Sequence, residues 1–66
     1  MNFNKEAFAK AEIELGLQNL KLDPTDQKQK DRIAYWAIKI GDTKLAKKYS
    51  TSPKMKAMFK VYESNS

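Results

Sequence analysis

Catalysis would need groups that this chain scarcely offers. Its nearest carboxylate pairs are Asp23 with Asp26 and Glu12 with Glu14. The first pair brackets Pro24 and reads as helix-capping chemistry, because a carboxylate placed before a helix accepts its free N–H groups. The second pair is two residues apart, so on a helix the carboxylates project to different sides and share neither a proton nor a metal. The sequence has no cysteine and no histidine. Thiolate nucleophiles, disulfides and thiolate zinc sites are thereby excluded. Missing too is the imidazole that serves most acid–base steps and many transition-metal sites. Gly16 and Gly41 lack the spacing of a phosphate-cradling loop. The expectation is a non-catalytic chain with no cofactor and no metal.

What the chain does offer is ammonium groups. Thirteen Lys and Arg stand against eight Asp and Glu, a formal net charge of +5, and the pI is near 9.6. The balance is uneven. Residues 1–31 hold five lysines and six acids, a net of −1, whereas residues 32–66 hold Arg32 and seven lysines against Asp42 and Glu63, a net of +6. Between Lys44 and Lys60 there are six lysines and no acid. A field of one sign steers and holds phosphate-bearing polymers, so nucleic acid is the first partner expected. Only one of the thirteen bases is Arg. Contacts would therefore be made by point charges rather than bidentate forks.

These groups must be positioned by a single small domain, residues 1–66, near the lower size limit at which one core holds a fold unaided. The longest wholly apolar run, Ile33 to Ile38, has six residues, against the roughly 20 that span a bilayer. Charges at Lys5, Glu6, Lys10, Glu12 and Glu14 interrupt any signal-like stretch. A soluble, cytoplasmic chain with no membrane contact is expected.

Four helical segments are legible, and the fold class expected is all-α, a small bundle of three to four short helices. The first runs from about Asn4 to Leu20, with Asn2 or Asn4 as its cap and Gly16 as a place where it could break. It is apolar on two sides: Phe8, Ala11 and Leu15 on one, Ile13, Leu17 and Leu20 with Ala9 nearly opposite. The second opens on Asp23 as N-cap with Pro24 at the first helical position and Asp26 in the first turn, and it stops at Gly41. A short third segment, capped by Asp42 or Thr43, carries Leu45, Ala46 and Tyr49 on one side. The fourth begins at Ser52-Pro53 and repeats apolar residues at Met55, Met58, Phe59 and Tyr62. The expected core comprises Phe8, Leu15, Leu20, Ile33, Trp36, Ile40, Leu45, Tyr49, Met55, Phe59 and Tyr62.

Opposite those core positions lie the cations. Lys28, Arg32, Tyr35 and Lys39 line the polar face of the second segment. Lys44, Lys47 and Lys48 do the same on the third, and Lys56 and Lys60 on the fourth, with Lys54 at its edge. Tyr35 stands among these charges as a ring able to stack on a base or sugar. Trp36 continues the Ile33/Ile40 stripe and is assigned to the core.

The stretch Leu45 to Tyr62 resembles the second and third helices of helix-turn-helix DNA-binding domains of the transposase and homeodomain-like sort. Leu45, Ala46, Tyr49, Ser52, Pro53 and Phe59 occupy that family's places, over residues 43–62. Ser50 stands where the family usually has Gly, Thr51 where it prefers an aliphatic, and Lys56 at a normally apolar place. The resemblance implies a recognition helix in segment four, and DNA rather than RNA. Residues 22–50 also resemble a single tetratricopeptide hairpin, through Leu22-Asp-Pro-Thr-Asp26, Ile33-Ala34, Gly41-Asp42 and Ala46 to Tyr49. A single such repeat cannot bury its own faces.

The function expected is that of a nucleic-acid-binding regulatory or accessory protein contacting phosphates through Arg32, Lys39, Lys44, Lys47, Lys48, Lys54, Lys56 and Lys60, with Tyr35 among them. The alternative is a helical adaptor or inhibitor whose basic face docks on an acidic protein. The doubly apolar first helix further suggests a homodimer through Ile13, Leu17 and Leu20, with Phe8, Ala11 and Leu15 turned to the chain's own core.

Overall fold

The four segments form four helices in a computed structural model that describes residues 4–65. They are α1 (Lys5–Leu22), α2 (Gln27–Ile40), α3 (Thr43–Tyr49) and α4 (Pro53–Ser64), and no strand occurs among the described residues. The chain is a small all-α bundle. Local chemistry sets most of the boundaries. Asn4 Oδ1 accepts from Ala7 N at 3.1 Å and caps α1; Asn2 lies outside the described residues. Asp42 caps α3 through Leu45 N at 3.2 Å, and Ser52 caps α4 through Met55 N at 3.2 Å with Pro53 in the first turn. Gly41 ends α2 in the left-handed region at φ 76°. Its N–H bonds Ile38 O while Asp42 N bonds Ala37 O at 2.8 Å, the paired closure that glycine makes without a Cβ penalty.

The start of α2 differs from expectation. Asp26, not Asp23, is its N-cap and accepts from Lys28 N at 3.1 Å. Asp23 is drawn into a turn instead. Its Oδ1 accepts from the Thr25 hydroxyl at 2.7 Å and from Thr25 N at 3.1 Å, and its carbonyl accepts from Asp26 N at 3.1 Å. Pro24 therefore sits at the second position of that turn, where its fixed φ is equally welcome. The two Thr25 hydrogen bonds, the hydroxyl first, hold the Asp23 carboxyl below its ordinary pKa.

α1 and α2 pack antiparallel. Phe8 meets Trp36 edge to face at 5.2 Å, Glu12 pairs with Arg32 at 3.5 Å, and Asn19 donates to Gln29 at 3.2 Å. At the centre Gly16 is buried and α1 continues unbroken through it to Leu22. A Cβ on Gly16 would lie 2.7 Å from Ile33 Cγ1, so the helices approach where no side chain intervenes. The wholly enclosed residues are mostly small: Ala9, Ala34, Ala37 and Ala46 beside Ile33, Ile13 and Met55. Around them pack Leu17, Leu20, Trp36, Ile38, Ile40, Leu45, Tyr49 and Phe59.

This reverses the two faces of α1. Ile13 is 5% exposed and belongs to the chain's own core, with Leu17 and Leu20 against it, whereas Phe8 and Leu15 are 42% and 45% exposed. The face assigned to a dimer is used intramolecularly, because Gly16 and Ala9 on it let α2 come close and Ile13 then packs in the core.

α2 is the central element, with α1 and α3 packed on it and α4 running alongside. Gln27 donates to Thr51 at 3.1 Å near the start of α4, and the hydroxyls of Thr43 and Tyr62 meet at 2.9 Å near its end. The bundle measures 35 × 30 × 16 Å. The face of α2 that carries Lys28 and Lys39 is left uncovered by the other helices.

Candidate nucleic-acid interface

The uncovered face of α2 carries Lys28, Arg32, Tyr35 and Lys39, spaced i, i+4, i+7 and i+11. At about 1.5 Å per residue these groups form a ridge about 16 Å long. Lys28 and Lys39 are exposed. The Arg32 side chain is 34% exposed, held by Glu12 and by Gln29 Oε1 at 3.3 Å. Two of its faces are thus braced while it keeps spare N–H donors. Lys39 Nζ stands 5.3 Å from the Tyr35 ring centroid, within cation–π range. Tyr35 in turn leans on Trp36, with centroids 5.1 Å apart and planes inclined by 57°.

A cleft opens on each side of this aromatic pair. One, of about 310 Å³, lies between the first turns of α1 and the second half of α2, lined by Lys5, Ala9, Tyr35, Trp36, Lys39 and Ile40. The other, of about 320 Å³, lies between α2 and the start of α4, lined by Asp31, Arg32, Tyr35, Trp36, Lys54 and Met55. Tyr35 and Trp36 are common to both. Four cations therefore flank one aromatic wall: Lys5 and Lys39 on the first side, where no acid lines the cleft, and Arg32 and Lys54 on the second, where Asp31 does. Asp31 also accepts from Gln27 Nε2 at 2.9 Å.

Of the residues singled out in the sequence, the clefts bring together Arg32, Tyr35, Lys39 and Lys54. Lys44, Lys47, Lys48, Lys56 and Lys60 are exposed and line neither cleft. Lys48 rests 5.4 Å over the Tyr49 ring. Two contributors were missed. Lys5 reaches the ridge only because α1 runs antiparallel to α2, a register that no local pattern reveals. Trp36, assigned to the core, is half-buried: it packs on the core with one part and walls both clefts with another. The signal for it was its place one step from Tyr35 on the same helix.

Among the described residues no three His, Cys, Asp or Glu side chains gather to hold a metal ion. Nor, among them, is any helix long and apolar enough to cross a membrane. No protein-family model, no curated protein and no solved structure significantly matches this chain.

Proposed function

We propose that this chain is a small non-catalytic nucleic-acid-binding protein, with DNA as the expected polymer, acting as a regulatory or accessory factor. One observation carries the reading: Lys5, Arg32, Lys39 and Lys54 flank the Tyr35–Trp36 pair, with Lys28 exposed further along the same helix face. Cations neutralise phosphates and release their counterions, which supplies affinity without reading sequence. Rings beside them accept sugar or base faces. The preference for DNA rests on the likeness of residues 43–62 to helix-turn-helix domains. In this reading α2 makes the principal contact, while Lys44, Lys47, Lys48, Lys56 and Lys60 contribute a diffuse attractive field.

Titration against oligonucleotides at several salt concentrations tests it. Five phosphate contacts give a log–log slope of about −4.5 for duplex and about −3.5 for a single strand. The double charge reversal Lys39→Glu with Lys54→Glu should abolish binding. Lys47→Glu with Lys56→Glu, which changes net charge equally, should weaken it far less. Absence of binding at low salt overturns the proposal, and equal losses in the two double variants overturn the assignment to α2.

A second reading is favoured by a different observation. Ile38, Ala57, Met58, Val61, Tyr62 and Asn65 line an apolar groove of about 520 Å³ between α2 and α4, and Val61 is 60% exposed. Such a groove suits an amphipathic partner helix, and the surrounding lysines suit an acidic one. A nuclease-resistant complex with an acidic protein, lost on Val61→Glu, would support the adaptor reading.

A further inference from the structure

The geometry points to a further assignment, resting on the nucleic-acid reading above but not on its helix-turn-helix likeness: the cleft between α1 and α2 is a site for one unstacked nucleotide, through which the chain prefers single strands to duplex. The cleft lined by Lys5, Ala9, Tyr35, Trp36, Lys39 and Ile40 combines three chemistries that a nucleotide presents together. Tyr35 and Trp36 offer aromatic surface, Ala9 and Ile40 an aliphatic floor, and Lys5 and Lys39 two cations with no lining acid. A base has an apolar face and every base has one, so aromatic walls bind without regard to sequence. A phosphate demands charge, and Lys39 stands at the rim over the Tyr35 ring.

Duplex DNA cannot use this lining. Its base faces are buried against one another, leaving edges and phosphates, so the aromatic wall would be wasted on it. An unpaired strand exposes both parts. The second cleft shares the Tyr35–Trp36 wall but carries Asp31, whose charge repels phosphate, so the first is the nucleotide site. Lys28, exposed further along the same helix face, is then placed for a neighbouring phosphate of the same strand. The path is short, which sets a small footprint.

Trp36 is the only tryptophan in the chain, so its emission reports directly on the site. The experiment titrates the full chain with oligothymidylate of about ten nucleotides, with a blunt duplex of equal length, and with polyglutamate. The single strand should quench Trp36 emission and bind several-fold more tightly than the duplex, which should leave emission unchanged. Tyr35→Ala should weaken single-strand binding by about tenfold, the scale of one lost stacking contact, and leave duplex binding unaltered. Lys39→Gln, which removes only charge, keeps the test open should Tyr35→Ala unfold. It should lower the single-strand salt slope by about 0.7. Equal binding of both polymers without quenching overturns the nucleotide site and leaves the nucleic-acid reading standing. Binding of neither overturns both, and quenching by polyglutamate alone reassigns the cleft to an acidic protein.

Discussion

Gly16→Ala separates packing from propensity at the contact on which the first cleft depends. Within a helix, alanine is favoured over glycine by about 1 kcal/mol, so the substitution would stabilise α1 if space allowed. Space does not allow it. The new Cβ would stand 2.7 Å from Ile33 Cγ1 and 3.2 Å from its Cδ1, and Ile33 is fully enclosed, with no exposed side toward which to turn. Overpacking of a close-packed core costs about 1–3 kcal/mol, so the net change expected is a loss of about 1 kcal/mol. A domain of this size has only about 3–10 kcal/mol in all, and the melting temperature should fall by roughly 4–8 °C. Because α1 brings Lys5 and Ala9 to the cleft and Phe8 against Trp36, the substitution should also shift Trp36 emission in the folded state. Thermal melts by circular dichroism, with Ile33→Ala and the double variant completing a cycle, provide the assay. The double variant should be less destabilised than the two single losses added together, since the alanine methyl enters space that the isoleucine vacates. A rise of about 1 kcal/mol in Gly16→Ala, with no coupling to Ile33, would refute the close approach.

Asp23 should titrate below the ordinary aspartate range when followed by NMR, and Thr25→Val should move it part of the way back, because the hydroxyl is its first hydrogen-bond donor and the Thr25 N–H remains. Its folded pKa is the lowered one, so the turn's contribution is complete above the ordinary value and is lost as pH falls through the lowered one; a Thr25→Val carboxyl that titrates unchanged would count against the turn. Leu17→Glu should lower stability by about 2 kcal/mol, since Leu17 packs on the chain's own core, while light scattering at tens of micromolar returns the 7.6 kDa of one chain for the parent protein. A parent mass of twice that value, halved by Leu17→Glu without loss of stability, would restore pairing through Ile13, Leu17 and Leu20.

Punctuation was the readable part of this fold. Ser52-Pro53, Asp42 and Gly41 declare helix ends through chemistry local to one turn, and the helices begin and end there. Asp23 misled because a carboxylate before Pro can cap a helix or close a turn, and here the Thr25 hydroxyl and N–H both bond it and leave the cap to Asp26. The faces of α1 misled for a different reason. Periodicity shows two apolar faces and cannot choose between them; the helices close on the one that also carries Ala9 and Gly16, with Ile13 against Ile33 and Ala37. Alanine and glycine carry little hydrophobic signal and yet occupy most of the enclosed positions. The ridge was legible because Lys28, Arg32, Tyr35 and Lys39 share a face by periodicity alone. The clefts beside it were not, since Lys5 and Lys54 arrive there through tertiary register.

α4 is fastened lightly. Among the described residues it encloses Met55, leans Phe59 on the core, and has near its ends the side-chain hydrogen bonds of Gln27 to Thr51 and of Thr43 to Tyr62, all exposed. Elements with few enclosed residues lie at the low-stability end of a fold, so α4 is the helix expected to open before the α1–α2 pair. Lys54 leaves with it, and the second cleft loses a wall. Amide hydrogen exchange in the free chain should accordingly be faster in α4 than in α2. A strand bound across Lys39 and Lys54, as proposed above, would slow that exchange by mass action. Part of the affinity is spent on completing the fold.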